Sequence, residues 1–95
     1  MAKEHNKIVN EIMKYLKRVP GCRPTRITPG PSMGGGVSDI IVCLTGKYIA
    51  IEVKTLGDKL SPLQERFLLE ISIAEGKTLV ARYVKDVKDF IESLY

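Results

Sequence analysis

The sequence is short of several residue types on which common enzyme classes depend. Its 95 residues include one histidine, two cysteines and no tryptophan, and aromatic residues make up 6%. A single histidine argues against chemistry centred on histidine, and no serine or cysteine has an evident base partner. Cys22 and Cys43 have neither the spacing of a metal site nor a disulfide pattern. Because Cys43 lies in an apolar strand, we expect it to be a small core residue.

Long apolar runs are also missing. No stretch approaches the roughly 20 apolar residues of a membrane span, and no signal-peptide pattern precedes the first helix. We therefore expect a cytoplasmic protein with no membrane contact. Hydrophobic residues make up 44% and charged residues 27%, which is typical of a globular protein. A chain of this length predicts one domain, residues 1–95, with a modest core.

Positive charge is concentrated in the N-terminal third. The net charge is +4, and residues 1–30 hold seven basic side chains against two acidic ones. Residues 61–95 hold five basic and six acidic side chains. A basic surface attracts the phosphate backbone of nucleic acids, although solvated helix faces are often basic as well. The asymmetry is therefore compatible with nucleic-acid binding and with an ordinary solvated helix.

Hydrophobic periodicity predicts an alternation of helices and strands. The expected elements in chain order are a helix over 3–19, a strand over 23–28, a hairpin over 38–54 that turns at 45–47, a helix over 61–75, a strand over 78–83 and a helix over 86–94. The helix and strand that follow the hairpin predict a crossover that adds a parallel strand. Helices can then cover both faces of a small mixed sheet.

The helix after the hairpin has a strong N-terminal pattern. Ser61 suits the N-cap, Pro62 suits the first helical position, and Gln64 completes a capping box. Gly76 is expected to end the helix. Its inward residues are predicted to be Leu63, Phe67, Leu68, Ile71 and Ala74.

Residues 29–36 are rich in glycine and proline and predict a mobile loop. This segment could be a plain connector. Alternatively, its glycines could let the backbone approach a phosphate closely, because they leave the N–H groups unobstructed. It has no Walker lysine and does not match a dinucleotide fingerprint.

Polar residues interrupt the apolar hairpin at one end. In its second strand Glu52 and Lys54 share a face with Ala50, while Val53 faces the other way. Asp39 opens the first strand, and the hairpin can bring it beside them. Two carboxylates and a lysine at one end of a sheet can hold a divalent cation and polarise a phosphate. Taken singly, each of these residues also has an ordinary structural explanation.

These residues together resemble a known nuclease family. Ser38-Asp39, Ile51-Glu52-Val53-Lys54 and Leu60-Ser61-Pro62-Leu63-Gln64 are similar to the VRR-NUC (virus-type replication-repair nuclease) domain, a branch of the PD-(D/E)xK superfamily. The resemblance extends from the first helix to about Val84. It implies an α/β, restriction-endonuclease-like fold with an αβββαβ core, a four-stranded mixed sheet flanked by helices, and here an additional C-terminal helix.

The resemblance also implies roles for individual residues. Asp39, Glu52 and the backbone carbonyl of Val53 would bind Mg²⁺ or Mn²⁺. Lys54 would orient the attacking water or stabilise the transition state. Gln64 would position the lysine, the water or the phosphate, although the capping box accounts for Gln64 structurally as well.

The first helix departs from the family pattern. The family has a glutamate near the metal about three residues before the first core isoleucine. Aligning on Ile8 places His5 there, with Glu4 next to it. Three explanations stay open: His5 substitutes, Glu4 reaches in, or the contact is missing and this turn is a solvated helix end. Glu11 is a further candidate.

The activity implied by the resemblance is metal-dependent cleavage of DNA. Stand-alone members of about this size look like archaeal Holliday-junction resolvases, which are homodimers. We therefore expect a structure-selective endonuclease for branched DNA in replication, repair or recombination, of phage or prophage origin, acting in the cytoplasm of the bacterial host. The alternatives are a nickase or endonuclease without junction preference, a DNA-binding module with weakened or lost catalysis, and an RNA- or nucleotide-directed enzyme with the same metal site.

Overall fold

The computed structural model describes residues 2–28 and 35–95. It contains the helices α1 (Ala2–Leu16), α2 (Pro62–Ile73) and α3 (Val84–Ser93), and the strands β1 (Cys22–Arg26), β2 (Ile40–Leu44), β3 (Lys47–Val53) and β4 (Lys77–Ala81). Every predicted element is present, with ends displaced by up to about three residues. The idea that the glycine-rich loop approaches a phosphate rests largely on residues 29–34, which lie outside the described residues.

The four strands form one mixed sheet in the order β1-β2-β3-β4. The first two pairings are antiparallel, and β4 runs parallel to β3. This confirms the predicted α/β fold class. The helix α2 is the predicted crossover, which allows β4 to lie parallel to β3 on the side away from β2. The hairpin turns over Thr45 and Gly46 at φ values of 47° and 88°. Such a two-residue turn with positive φ matches the twist of the flanking strands, and it makes Lys47 the first residue of β3.

Helices cover the two faces of the sheet unequally. The helices α1 and α3 pack on one face, where β2 and β3 contribute alternate residues to a buried apolar core. The largest side chains of this core are Ile12, Leu16, Ile40, Leu44, Ile49 and Ile51. The helix α2 packs on the other face, over β3 and β4 only. Among the described residues, no helix is both long and apolar enough to cross a membrane.

Three predictions are wrong, the first two because of this unequal cover. Cys43 is exposed rather than part of the core, because it lies on the face of β2 that α2 does not reach. In α2 itself only Leu68 is buried, whereas Leu63 is 56% exposed and Ala74 is exposed as the C-cap. The left-handed residue that ends the helix is Glu75, with a φ of 68°, and not Gly76. A helix over two strands buries a narrower stripe than one over a full sheet.

Candidate active site

Asp39 and Glu52 come together at the open end of the β2–β3 hairpin. Ile40 pairs with Ile51, so one further step of the register places Asp39 opposite Glu52 on the same face. Asp39 lies one residue before β2 begins, yet its side chain is anchored. Its Oδ2 accepts a 2.8 Å hydrogen bond from the backbone N–H of Val53. The hairpin therefore brings the two predicted carboxylates together.

Burial and negative charge keep Glu52 protonated to an unusually high pH. The residue is 3% exposed. Desolvation on burial is the largest cause that raises the pKa of Glu52 from 4.5 to about 8, followed by the negative charge of Asp39. Lys54 lowers this pKa through its charge, with its Nζ 3.9 Å from Oε2 of Glu52, but does not outweigh the other two effects. Without a cation, Glu52 is therefore mostly protonated at pH 7.

One oxygen of Glu52 receives no hydrogen bond. Within the described part of the chain, Oε1 of Glu52 and Oγ of Ser38 are buried and have no partner. Buried polar atoms are nearly always satisfied, so an orphaned one calls for an explanation such as a bound ion or water. Oε1 of Glu52 lies in a site that already holds a second carboxylate. The arrangement contains oxygen ligands whose burial and mutual repulsion the charge of Lys54 does not outweigh.

The donor set fits a hard divalent cation held by two carboxylates. Across residues 2–28 and 35–95, no group of three or more His, Cys, Asp or Glu side chains is arranged to hold a metal ion. Mg²⁺ and Mn²⁺ do not require such a group, because Mg²⁺ commonly takes one or two carboxylates and keeps several waters. Asp39 and Glu52 provide the carboxylates, and the carbonyl of Val53, next in the chain, is the third oxygen of the predicted set.

Gln64 serves the helix and the site with its two different amide atoms. Its Oε1 accepts the N–H of Ser61 at 2.9 Å, and its own N–H donates to Oγ of Ser61 at 3.2 Å, which completes the predicted capping box. Its Nε2 donates to Oε2 of Glu52 at 3.3 Å. The two explanations considered for Gln64 are thus compatible, since capping orients the amide nitrogen toward the carboxylate.

His5 is the residue of α1 that reaches the carboxylates. Its Nε2 lies 3.3 Å from Oδ2 of Asp39. Glu4 and Glu11, the other two candidates, instead line a cleft of about 390 Å³ together with residues that include Arg82 and Tyr83. The first turn of α1 therefore contributes an imidazole to the site.

Sequence reasoning did not identify Arg82 as a residue that supports the site. Its guanidinium donates from Nη1 to the carbonyl of Thr55 at 2.6 Å and from Nη2 to the carbonyl of Asp58 at 2.8 Å. Thr55 Oγ1 also donates to the Asp58 side chain at 2.5 Å. These bonds shape the loop that joins Lys54 to α2. No sequence pattern marks them, because the acceptors are backbone carbonyls 24 and 27 residues away.

A close backbone contact fixes the start of α2 against the segment that precedes Asp39. Gly36 has a φ of 96°, and a Cβ placed there would lie 2.5 Å from the carbonyl oxygen of Leu63. Only glycine combines this φ with so close an approach. Gly36 thus has a packing reason for its identity, and it links the Asp39 segment to the helix turn that carries Gln64.

Comparison with known proteins gives a family and a fold for the chain. Residues 8–85 match the family model described as the VRR-NUC domain. That span includes Asp39, Glu52, Lys54 and Gln64, and His5 lies just before it. A solved structure titled "VRR_NUC domain" superimposes with a TM-score of 0.80 and 20% sequence identity, covering 97% of this chain and 98% of that one. No curated protein matches the chain.

Proposed function

The chain belongs to the VRR-NUC domain family, and from this premise we propose that it is a metal-dependent, structure-selective DNA endonuclease that cuts branched DNA in the manner of a Holliday-junction resolvase. Family membership implies a nuclease of the PD-(D/E)xK type, with DNA as its substrate. Dependence on Mg²⁺ or Mn²⁺, preference for junctions and action as a homodimer are parts of our proposal, as is work in DNA replication, repair or recombination.

The observation that carries the proposal is the Asp39–Glu52 pair. A protonated, buried glutamic acid with an orphaned oxygen beside a second carboxylate is an unfavourable arrangement for stability alone. A divalent cation would lower this pKa again, because its charge stabilises the ionised form of both carboxylates. Functional sites are where such perturbed groups concentrate.

In this proposal Asp39, Glu52 and the carbonyl of Val53 hold the cation. Once bound, the cation would lower the pKa of a water and neutralise charge that builds on the phosphoryl oxygens. Lys54 faces the same site at 15% side-chain exposure, and its ammonium would orient the attacking water or stabilise the developing negative charge. Gln64 holds the carboxylate of Glu52 in place through Nε2, because the helix cap restrains its amide.

The proposed activity also requires a homodimer. A junction resolvase needs two sites, and a domain of 95 residues has little surface for gripping DNA alone. The apolar residues Val87 and Ile91 of α3 are buried in the core. They are therefore not free to contact a second copy, whereas α2 exposes the apolar side chains of Leu69, at 59%, and Ile73, at 72%, which a second copy could cover. Sedimentation velocity of the wild type and of Leu69→Asp with Ile73→Asp tests this idea.

The main experiment is cleavage of a labelled four-way junction beside linear duplex, flap and single-stranded DNA, with Mg²⁺ or Mn²⁺. The wild type and Glu52→Ala are compared at equal folded concentration. Symmetric nicks in opposing strands that the mutant does not make are the expected result. Cleavage of duplex or flaps but not of junctions would favour the alternative function, a nickase or endonuclease without junction preference. Cleavage of RNA alone would favour the RNA-directed enzyme.

Calorimetry tests metal binding without relying on activity. Since Glu52 must lose its proton to become a ligand, Mg²⁺ or Mn²⁺ binding at pH 7 should release close to one proton. The release is measured from the dependence of the binding enthalpy on the ionisation enthalpy of the buffer. Glu52→Gln should abolish this release, and metal binding by the wild type with no proton release would count against Glu52 as the ligand.

A DNA-binding module with weakened catalysis is the second candidate function. The observation that favours it is the imidazole of His5 at 3.3 Å from Asp39, where the family pattern has a glutamate. A neutral or positive group supplies less attraction for a divalent cation than a carboxylate does. Junction binding without metal-dependent cleavage of any substrate would support this function, and His5→Glu would then be expected to gain cleavage.

A further inference from the structure

Arg26, the last residue of β1, is held in an exposed position by two asparagines of α1. Its Nη1 donates to Oδ1 of Asn10 at 2.7 Å, and its Nη2 donates to Oδ1 of Asn6 at 3.0 Å. Asn6 and Asn10 are four residues apart and so lie on one side of the helix. Both acceptors are neutral amides. They orient the guanidinium plane without neutralising its charge.

The other arginines with described side-chain partners are used differently. Arg66 faces the carboxylate of Glu70 at 3.8 Å, and Arg82 gives its terminal nitrogens to backbone carbonyls. The ion pairs within 4 Å among the described residues do not include Arg26. Residues 29–34, which the description does not cover, contain no Asp or Glu. A guanidinium has five N–H donors, so the two amide contacts leave three for a ligand.

Two separate connections place Arg26 at the same end of the sheet as the carboxylate site, on the face that α1 covers. Along the sheet, Arg26 pairs with Ile40, and the next N–H, that of Ile27, donates to the backbone oxygen of Asp39 at 2.8 Å. Paired Cα atoms in such a ladder are about 5 Å apart. Along the helix, Asn6 directly follows His5, whose ring contacts Asp39. Strand and helix thus bring a charged, exposed and oriented guanidinium to the end of the sheet at which the site lies.

We propose that Arg26, oriented by Asn6 and Asn10, binds a backbone phosphate of the substrate DNA next to the phosphodiester held at Asp39 and Glu52. This inference rests on the proposed function. A guanidinium fork matches the oxygens of a phosphate, and a fork that is already oriented loses less rotamer entropy on binding. An aspartate in place of either asparagine would orient Arg26 equally well but would cancel the charge that attracts a phosphate.

The first test compares Arg26→Gln with Arg18→Gln. Both variants lose one positive charge. Arg18 lies just beyond the end of α1 that is far from His5, since the helix from His5 to Leu16 spans about 17 Å. Affinity for a labelled four-way junction is measured by fluorescence anisotropy over a range of salt, with Ca²⁺ replacing Mg²⁺ to prevent turnover. Arg26→Gln should weaken binding at least about tenfold and reduce the salt slope by about 1. Arg18→Gln should change both quantities little.

The second variant, Asn10→Asp, separates phosphate binding from a structural tie between β1 and α1. It keeps an acceptor for Arg26 and changes the net charge by the same amount as Arg18→Gln. If Arg26 only ties the two elements, Asn10→Asp keeps thermal stability and binds DNA like Arg18→Gln. If Arg26 binds a phosphate, Asn10→Asp keeps thermal stability but weakens DNA binding as Arg26→Gln does. If Arg26→Gln does not fold, Asn10→Asp still tests the phosphate contact.

The outcomes separate this inference from the proposed function. Equal affinity and equal salt slope for Arg26→Gln, Asn10→Asp and Arg18→Gln, beside a wild type that binds and cleaves DNA, would overturn the phosphate contact and leave the nuclease intact. A wild type that neither binds nor cleaves any DNA would overturn both.

Discussion

Gln64 and Glu52 are 12 residues apart in the chain, and Nε2 of Gln64 donates to Oε2 of Glu52 at 3.3 Å. The same amide caps α2 through Oε1. One side chain thus joins the start of a helix to a carboxylate of the candidate site. The position of the carboxylate depends on the helix cap, so capping and cleavage are expected to be coupled at this residue.

Gln64→Glu and Gln64→Ala should separate these two roles. The glutamate keeps an acceptor for the capping box. At pH 6 the free energy of unfolding of Gln64→Glu should therefore stay within about 1 kcal/mol of the wild-type value. Gln64→Ala loses the acceptor and should lower the free energy of unfolding by about 1 kcal/mol. Both should lower junction cleavage at least about tenfold, since neither provides a donor for Glu52. Urea unfolding and single-turnover cleavage measure the two effects. If Gln64→Glu cleaved the junction at the wild-type rate, Gln64 would act only as a residue of the helix cap.

Glu52 should make the metal-free protein less stable as pH rises. Its pKa is raised from 4.5 in an unfolded chain to about 8 in the folded state. Between these values the folded protein holds a proton that the unfolded chain has lost, so stability falls as pH increases across this window. Thermal unfolding at pH 5, 6, 7 and 8.5 in EDTA should show the decline, and Glu52→Gln should flatten it. A wild-type profile parallel to that of Glu52→Gln would disprove the raised pKa.

Lys54→Met should impair cleavage without preventing DNA binding. The ammonium is the cation beside Glu52, and loss of one group that stabilises transition-state charge typically costs about 10²–10³-fold in rate. Junction affinity in Ca²⁺ should change no more than it does for Arg18→Gln. Since Lys54 lowers the pKa of Glu52, its removal should also move the pH dependence of stability to higher pH. A cleavage rate near that of the wild type would exclude Lys54 from catalysis.

Arg82→Met should destabilise the loop between Lys54 and α2. The change removes two charge-assisted hydrogen bonds to backbone carbonyls, for which a cost of about 2–4 kcal/mol is expected. Lys85→Met is the matched control, because it removes an exposed charged side chain on α3 whose partner Asp89 is exposed as well. The control should leave the urea unfolding curve almost unchanged. Equal stability of the two variants would contradict the role assigned to Arg82.

Gly36→Ala should displace the start of α2. Gly57→Ala is its control: both glycines have positive φ, 96° and 91°, but a Cβ at Gly57 meets nothing within 4 Å. The control substitution should lower the free energy of unfolding by about 1–2 kcal/mol, because alanine is strained at positive φ. Gly36→Ala adds a clash with the carbonyl of Leu63, so it should be more destabilising and should also lower cleavage. Thermal unfolding and cleavage that match the control would mean that the two segments can move apart freely.

The sequence allowed the fold to be predicted because each element depends on its near neighbours. Alternating apolar residues mark β2 and β3, a two-residue turn joins them, and Ser61 with Gln64 starts α2. The resemblance to the VRR-NUC domain then supplied the topology, which the structure confirms. The prediction was wrong for Cys43 and Leu63, because burial depends on which strands a helix covers, and periodicity does not contain that information.

The sequence by itself determined the order of the elements, the helix cap and the residues worth considering for a site, since these depend on residue types and short spacings. Only the tertiary structure decided the contacts between distant segments. It set Asp39 against Glu52 closely enough to raise a pKa, brought His5 to Asp39, and placed Arg26 between two amides of α1. These relationships arise from the packing of a helix against the end of a sheet, where a displacement of a few ångströms decides whether two side chains are in contact.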